Sequence, residues 1–165
     1  MSLPDLAAVL WRQRELLERL SYRLECEQLL LAAGRARWLS QATSEVESLL
    51  AELQVVELQR AAAAQAAATE LGMTATASLE ELAAGAQPPW SGVLLEHRNV
   101  LITLTVGLSA LAETNRHLMD VGMQAVETAL AHVGLSGGPN PSGYDSRGRR
   151  AEPGSNRRAV IDRAL

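Results

Sequence analysis

Three histidines, a single cysteine and two glutamate pairs are the side chains of this sequence best suited to hold a metal, attack a carbon or trade protons. Their spacing argues against all three chemistries. His97, His117 and His132 fall on one predicted helix. His117 and His132 are fifteen residues apart, so helical rise separates them by roughly 20 Å. They cannot share a metal within one chain. Glu25 with Glu27, and Glu80 with Glu81, stand too close in sequence to share a helix face and read as solvated charges. Cys26 has no second cysteine to pair with, which fits a reducing compartment. There is no glycine-rich phosphate loop, paired-cysteine metal site or nucleophile elbow. The reading is a protein that is not an enzyme and uses no cofactor or metal.

Contact chemistry is what remains. The chain has three Trp, two Tyr and no Phe, and one of these rings, Tyr144, lies in Ser142-Gly-Tyr-Asp-Ser-Arg-Gly148, just after Gly134-Leu-Ser-Gly-Gly-Pro-Asn-Pro141. A ring among glycines, with no packed core beside it in sequence, reads as a contact made for another molecule. The other reading folds the ring back onto the body of the protein.

The elements that would position such contacts are helices. Alanine and leucine supply most of the 47% apolar fraction, and β-branched residues are few, which favours long helices over strands. Ser2, Pro4 and Asp5 suit a helix start. Leu6, Leu10, Leu17, Leu20, Leu24 and Leu31 then recur at heptad spacing, with Gln13 and Glu27 as polar gaps in the seam. Gly34 ends or kinks this helix. A second stripe runs through Leu39, Ala42, Val46, Leu49, Leu53 and Val56 into Ala61–Ala68, where small side chains allow either fraying or close helix approach, and Gly72 stops it. Ser78-Leu-Glu-Glu81 has capping-box spacing and opens a short helix. Gly85-Ala-Gln-Pro-Pro-Trp90 breaks regular structure. A third long helix, about 60 Å at 1.5 Å per residue, spans Gly92 to Val133. The expectation is an all-α fold: a long antiparallel, coiled-coil-like bundle of three long helices and one short one. Residues 1–135 form the helical domain. Residues 136–165 form a disordered Gly/Pro/Arg-rich tail, ending in a short apolar segment with Val160 and Ile161.

Charge narrows the choice of partner. Residues 1–135 carry nine Arg against sixteen Asp and Glu, about −7, and residues 136–165 carry six Arg against three acids, about +3. An acidic body argues against nucleic acid, which needs a basic face. The longest uncharged run, Asn99 to Ala112, falls short of the ~20 apolar residues that span a bilayer. Nothing at the N-terminus resembles a secretory signal. The expected setting is the cytoplasm, without membrane insertion.

The third long helix carries the candidate surface. Its seam is Leu94, Leu101, Leu104, Leu108, Leu111, Asn115 and Leu118, and a neighbouring stripe of Met119, Met123, Val126, Leu130 and Val133 takes over towards its end. If that helix outruns its neighbours, the late stripe must dimerise or receive another protein. Methionines adapt to varied apolar partners. Asn115 is either a buried residue that fixes register or a polar landmark in a groove that receives a peptide. Trp11, Trp38 and Trp90 read as partly buried packing residues.

Two stretches resemble a known family. Leu24-Glu-Cys-Glu-Gln28, leading to Ser48-Leu-Leu-Ala-Glu-Leu-Gln-Val-Val-Glu-Leu-Gln-Arg60, is similar to the first pattern of the FlgN family of flagellar export chaperones. Leu108-Ser-Ala-Leu-Ala-Glu-Thr-Asn115, followed by a helix into Tyr144-Asp-Ser-Arg-Gly148, is similar to its ending. Asp145 stands where the family has glycine after the tyrosine. The resemblance implies a cytoplasmic chaperone that binds terminal segments of the hook–filament junction proteins FlgK and FlgL, prevents their premature association, and delivers them to the cytoplasmic domain of FlhA at the export gate. It implies that Tyr144 is the gate contact. The cargo surface would then comprise Asn115, Leu118, Met119, Met123, Val126 and Leu130, together with Val160 and Ile161. The same stripe leaves open a homodimer when cargo is absent. The reading from another class is a self-associating coiled-coil scaffold without export cargo.

Overall fold

The computed structural model describes residues 3–133, and its chain divides into two compact units, Met1–Gln124 and Ala125–Leu165. Every described element is helical: α1 (Leu3–Ala32), α2 (Ala36–Glu70), α3 (Leu79–Gly85) and α4 (Trp90–Val133). The expected all-α class, with three long helices and one short, is what forms. The expected tail, with Tyr144, Val160 and Ile161, and the proposed cap residue Ser2 lie outside the described residues.

The stops and starts follow local backbone chemistry. Gly34 and Gly72 adopt φ of +64° and +68°, the left-handed region where a Cβ is costly. At each, two reversed hydrogen bonds satisfy the last carbonyls of the preceding helix. Arg35 N–H donates to Leu30 O at 2.9 Å and Gly34 N–H to Leu31 O at 3.1 Å. Met73 N–H donates to Ala68 O at 2.8 Å and Gly72 N–H to Thr69 O at 3.1 Å. The capping box is complete: Glu81 N–H donates to Ser78 Oγ, and Ser78 N–H to Glu81 Oε2. These bonds hold the Glu81 carboxyl below its ordinary pKa.

Within the first unit, the long helices pack up, down and up. Leu6 and Leu10 near the start of α1 meet Ala63, Ala67 and Ala68 near the end of α2, Leu82 and Ala83 of α3, and Leu94 near the start of α4. Further along α1, Leu16, Leu17, Leu20 and Leu24 meet Val46, Leu49 and Val56 of α2 and Leu108 of α4. Each fully buried leucine contributes roughly 1.5–3 kcal/mol. The alanine run resolves in favour of close approach, since Ala63, Ala67 and Ala68 are all fully buried. Small side chains there let the α1 leucines and α3 press onto α2 without voids. Trp11 and Trp38, expected to be partly buried, are more than half exposed, whereas Trp90 is half-buried. Of the second unit, residues 125–133 are described. They continue α4, and Val126 and Leu130 are exposed on it.

Because the alanine interface has no spare volume, Ala67→Leu should cost about 1–3 kcal/mol by overpacking. Ala62→Leu, on the exposed side of the same turn, should change stability by about 0.5 kcal/mol at most. Paired urea titrations of the two variants check this.

Candidate partner-binding surface

Three helices meet at one buried carboxylate. Glu27, only 3% exposed, accepts from Thr43 Oγ1 of α2 at 2.9 Å through one oxygen. Its other oxygen accepts from Asn115 Nδ2 of α4 at 3.0 Å. The same Asn115 nitrogen donates to Leu24 O of α1 at 2.9 Å. Asn115 itself is 1% exposed, a burial that matches a residue inside the seam rather than one displayed to a partner. Glu27 is a correction. Its spacing from Glu25 reads as a solvated charge, but α1 turns Glu25 outward and Glu27 into the seam. Its position in the leucine heptad was the available signal, and Asn115 on the facing seam was its natural partner.

A second polar link joins α1 to α2 two heptads away. Gln13 Nε2 donates to Glu57 Oε2 at 2.7 Å, and Arg60 forks onto both oxygens of the same carboxylate. The Arg60 hydrogen bond, more than its charge, holds Glu57 below the ordinary carboxylate pKa and raises the pKa of Arg60. Glu27 and Asn115 are thus a buried clasp of the bundle, and Gln13 with Glu57 is a half-exposed one that Arg60 steadies from within α2. They set the frame on which a contact surface stands.

That surface runs along α4. Beyond Asn115, Leu118 and Met119 are half-buried. Val121 is 49% and Met123 57% exposed. These residues lie in the first unit. In the second, Val126 (59%) and Leu130 (39%) are exposed in turn. Met119, Met123, Val126 and Leu130 follow i, i+4, i+7, i+11 spacing, the pattern by which one helix meets another.

The histidines part company. His97 is buried, edge-on to Trp11 with ring centroids 4.9 Å apart, and its Nδ1 has no hydrogen-bond partner. Burial lowers its pKa, with Glu96 opposing the shift and Arg14 adding to it. His117 and His132 are exposed. Among the described residues, no group of three or more His, Cys, Asp or Glu could hold a metal ion, and no helix is long and apolar enough to cross a membrane.

A family model described as FlgN protein matches residues 1–152, a stretch that takes in α1 to α4 and Tyr144 but not Val160 or Ile161. No curated protein and no solved structure matches.

Two consequences for stability follow. Asn115→Leu should cost about 1–3 kcal/mol by leaving one Glu27 oxygen buried without its donor, lowering the melting temperature by about 2–12 °C. Adding Glu27→Leu should recover part of that loss. Differential scanning calorimetry of both variants checks the node. For His97, the folded state favours the neutral ring. The associated stability is complete above the unfolded value of 6.5 and is lost as pH falls through the lower folded value. Melting temperature measured between neutral pH and mildly acidic pH should therefore drop more for the parent protein than for His97→Leu.

Proposed function

The chain belongs to the FlgN family, a family of flagellar export chaperones, and we propose that it binds terminal helical segments of FlgK and FlgL in the cytoplasm and hands them to the cytoplasmic domain of FlhA. The observation that carries this reading is the exposed apolar stripe on α4. Leu118 and Met119 form its half-buried root and Met123 its most accessible part within the first unit, at 57% exposure. Val126 and Leu130 extend it along the helix.

The chemistry suits a chaperone for amphipathic helices. An apolar cargo stripe laid against α4 removes surface from water on both partners, at about 25 cal/mol per Å². Methionine thioethers adapt their shape to more than one cargo sequence. The cargo's own helix-pairing face is occupied while it is bound, so premature association is prevented by competition. Binding of this kind needs no nucleotide, metal or covalent step. Val160 and Ile161 are proposed as a supplementary contact from the far end of the chain. Tyr144, which lies within the family match, is proposed as the gate contact: a phenol ring offers a large apolar area and one hydrogen bond at low entropic cost.

Met123→Asp should weaken the complex with the FlgK or FlgL terminal region by about a hundredfold or more, since the carboxylate would be buried unpaired. Isothermal titration calorimetry measures this, and an unchanged Kd would remove α4 as the cargo face. In the same assay Tyr144→Ala should leave cargo affinity unchanged while weakening binding to the FlhA domain. Equal loss of both would make the tyrosine structural. A tight homodimer in sedimentation that ignores junction proteins would favour a scaffold instead.

A further inference from the structure

The turn between α1 and α2 differs in charge from the unit that bears it. From Gln28 to Ser44 there is no acidic residue, and the charges present are Arg35 and Arg37, both exposed. Five other arginines pair with carboxylates: Arg14, Arg23, Arg60, Arg98 and Arg116. Among the described residues, Arg35 and Arg37 make no such pair, nor do Arg12 and Arg19. Arg37 instead lies over the Trp38 ring, 5.0 Å from its centroid, and Trp38 is 52% exposed. Leu29, one helical turn before the end of α1, is 70% exposed. The turn is held in shape: Arg35 N–H is bonded to Leu30 O, and Trp38 N–H to Arg35 O. Two guanidinium groups and an indole are therefore presented from an ordered corner of an otherwise acidic body.

The polar node places that corner. Trp38 precedes Thr43 by five residues, Ala32 follows Glu27 by five, and Met123 follows Asn115 by eight. Thr43, Glu27 and Asn115 are hydrogen-bonded to one another through the Glu27 carboxylate. Helical rise then sets the turn about 8 Å, and Met123 about 12 Å, beyond the node towards the same end of the first unit. The basic turn and the apolar stripe on α4 are neighbours along the bundle.

We infer that Arg35, Arg37 and Trp38 form a second contact for the segment received by α4, and that this segment carries carboxylates beside its apolar stripe. The inference rests on the cargo reading for the identity of the protein that brings the segment. Guanidinium groups match carboxylates in bidentate geometry. The stacked indole keeps Arg37 oriented and, with Leu29, covers the aliphatic part of the incoming chain. A protein segment fits this corner better than a bilayer or a nucleic acid. Two arginines neutralise few phosphates, and residues 1–135 carry sixteen acids against nine arginines, which an anionic surface would repel. An acidic helix is small enough to set its few carboxylates against the corner alone while its apolar face lies on α4.

The test uses the full chain and two synthetic amphipathic helices of identical apolar stripe, one flanked by glutamates and the other by glutamines. Fluorescence anisotropy should give about three- to tenfold tighter binding of the acidic helix at low salt. The preference should vanish at high salt and in the Arg35→Gln/Arg37→Gln variant, and shrink in Trp38→Ala. Equal affinity for the two helices, no binding of either, or a preference that survives the double substitution would overturn the inference. So would arginine-dependent sedimentation with phosphatidylserine vesicles in place of the peptide preference. Met123→Gln separates this claim from the cargo face. It should weaken both helices alike and leave their ratio intact. If it weakens both when no charge preference exists, the α4 face stands and the corner falls. If the preference persists while Met123→Gln has no effect, the corner stands and the α4 face falls.

Discussion

A carboxylate removed from water at the junction of three helices is the constraint on which the rest of the first unit depends. Leucine seams alone tolerate sliding, because one heptad of apolar side chains packs much like the next. Glu27 does not permit sliding. Its two oxygens take hydrogen bonds from Thr43 on α2 and Asn115 on α4, and a shift by one turn would leave buried polar atoms without partners. Fixing the register fixes which residues of α4 face α1 and α2, and which are left with solvent.

The consequences run along α4. Before the node, its seam residues Leu94 and Leu108 are buried among leucines of α1, the first with the alanines of α2 and the second with Val46, Leu49 and Val56. After the node, burial fades through Leu118 and Met119 to Val121 and Met123. The helix itself persists to Val133. Helices are stabilised chiefly by packing of an apolar face, so an apolar face left in water on a continuing helix is a cost that a partner can relieve. The same register brings the Arg35–Trp38 turn to that end of the unit, and so couples the two proposed contact regions through one internal hydrogen-bond network.

Much of the architecture was legible in the residues because it rests on local rules. Gly34 and Gly72 stop helices where left-handed backbone is needed, and Ser78 with Glu81 starts one. Heptad leucines declare the seams. What could not be read was settled by contacts between distant parts of the chain. Glu27 sits on the leucine heptad and Glu25 beside it, but the heptad position alone does not show whether the carboxylate finds a buried donor, which Asn115 on a distant helix supplies. The alanine run was compatible with two outcomes until Leu6, Leu10 and α3 closed on it. Trp11 and Trp38 are large enough to suggest burial, yet each is stacked with an arginine at the surface. Among the site residues, exposure of Met123, Val126 and Leu130 follows the expected stripe, whereas Asn115 is buried in the seam.

The family patterns acquire a physical meaning in this light. Glu27, Glu57 and Asn115, which carry much of the resemblance, take part in hydrogen bonds between helices, and the contact stripe is written in interchangeable apolar residues. The central claim is that cargo lies against α4 rather than against any exposed apolar side chain. Leu58 on α2 is the demanding control, being 74% exposed against 57% for Met123. A photo-crosslinking side chain placed at each position in turn, with the FlgK or FlgL terminal segment present, tests the claim directly. Crosslinks from position 123 and none from position 58 are predicted, and equal or stronger crosslinking from position 58 would contradict the account.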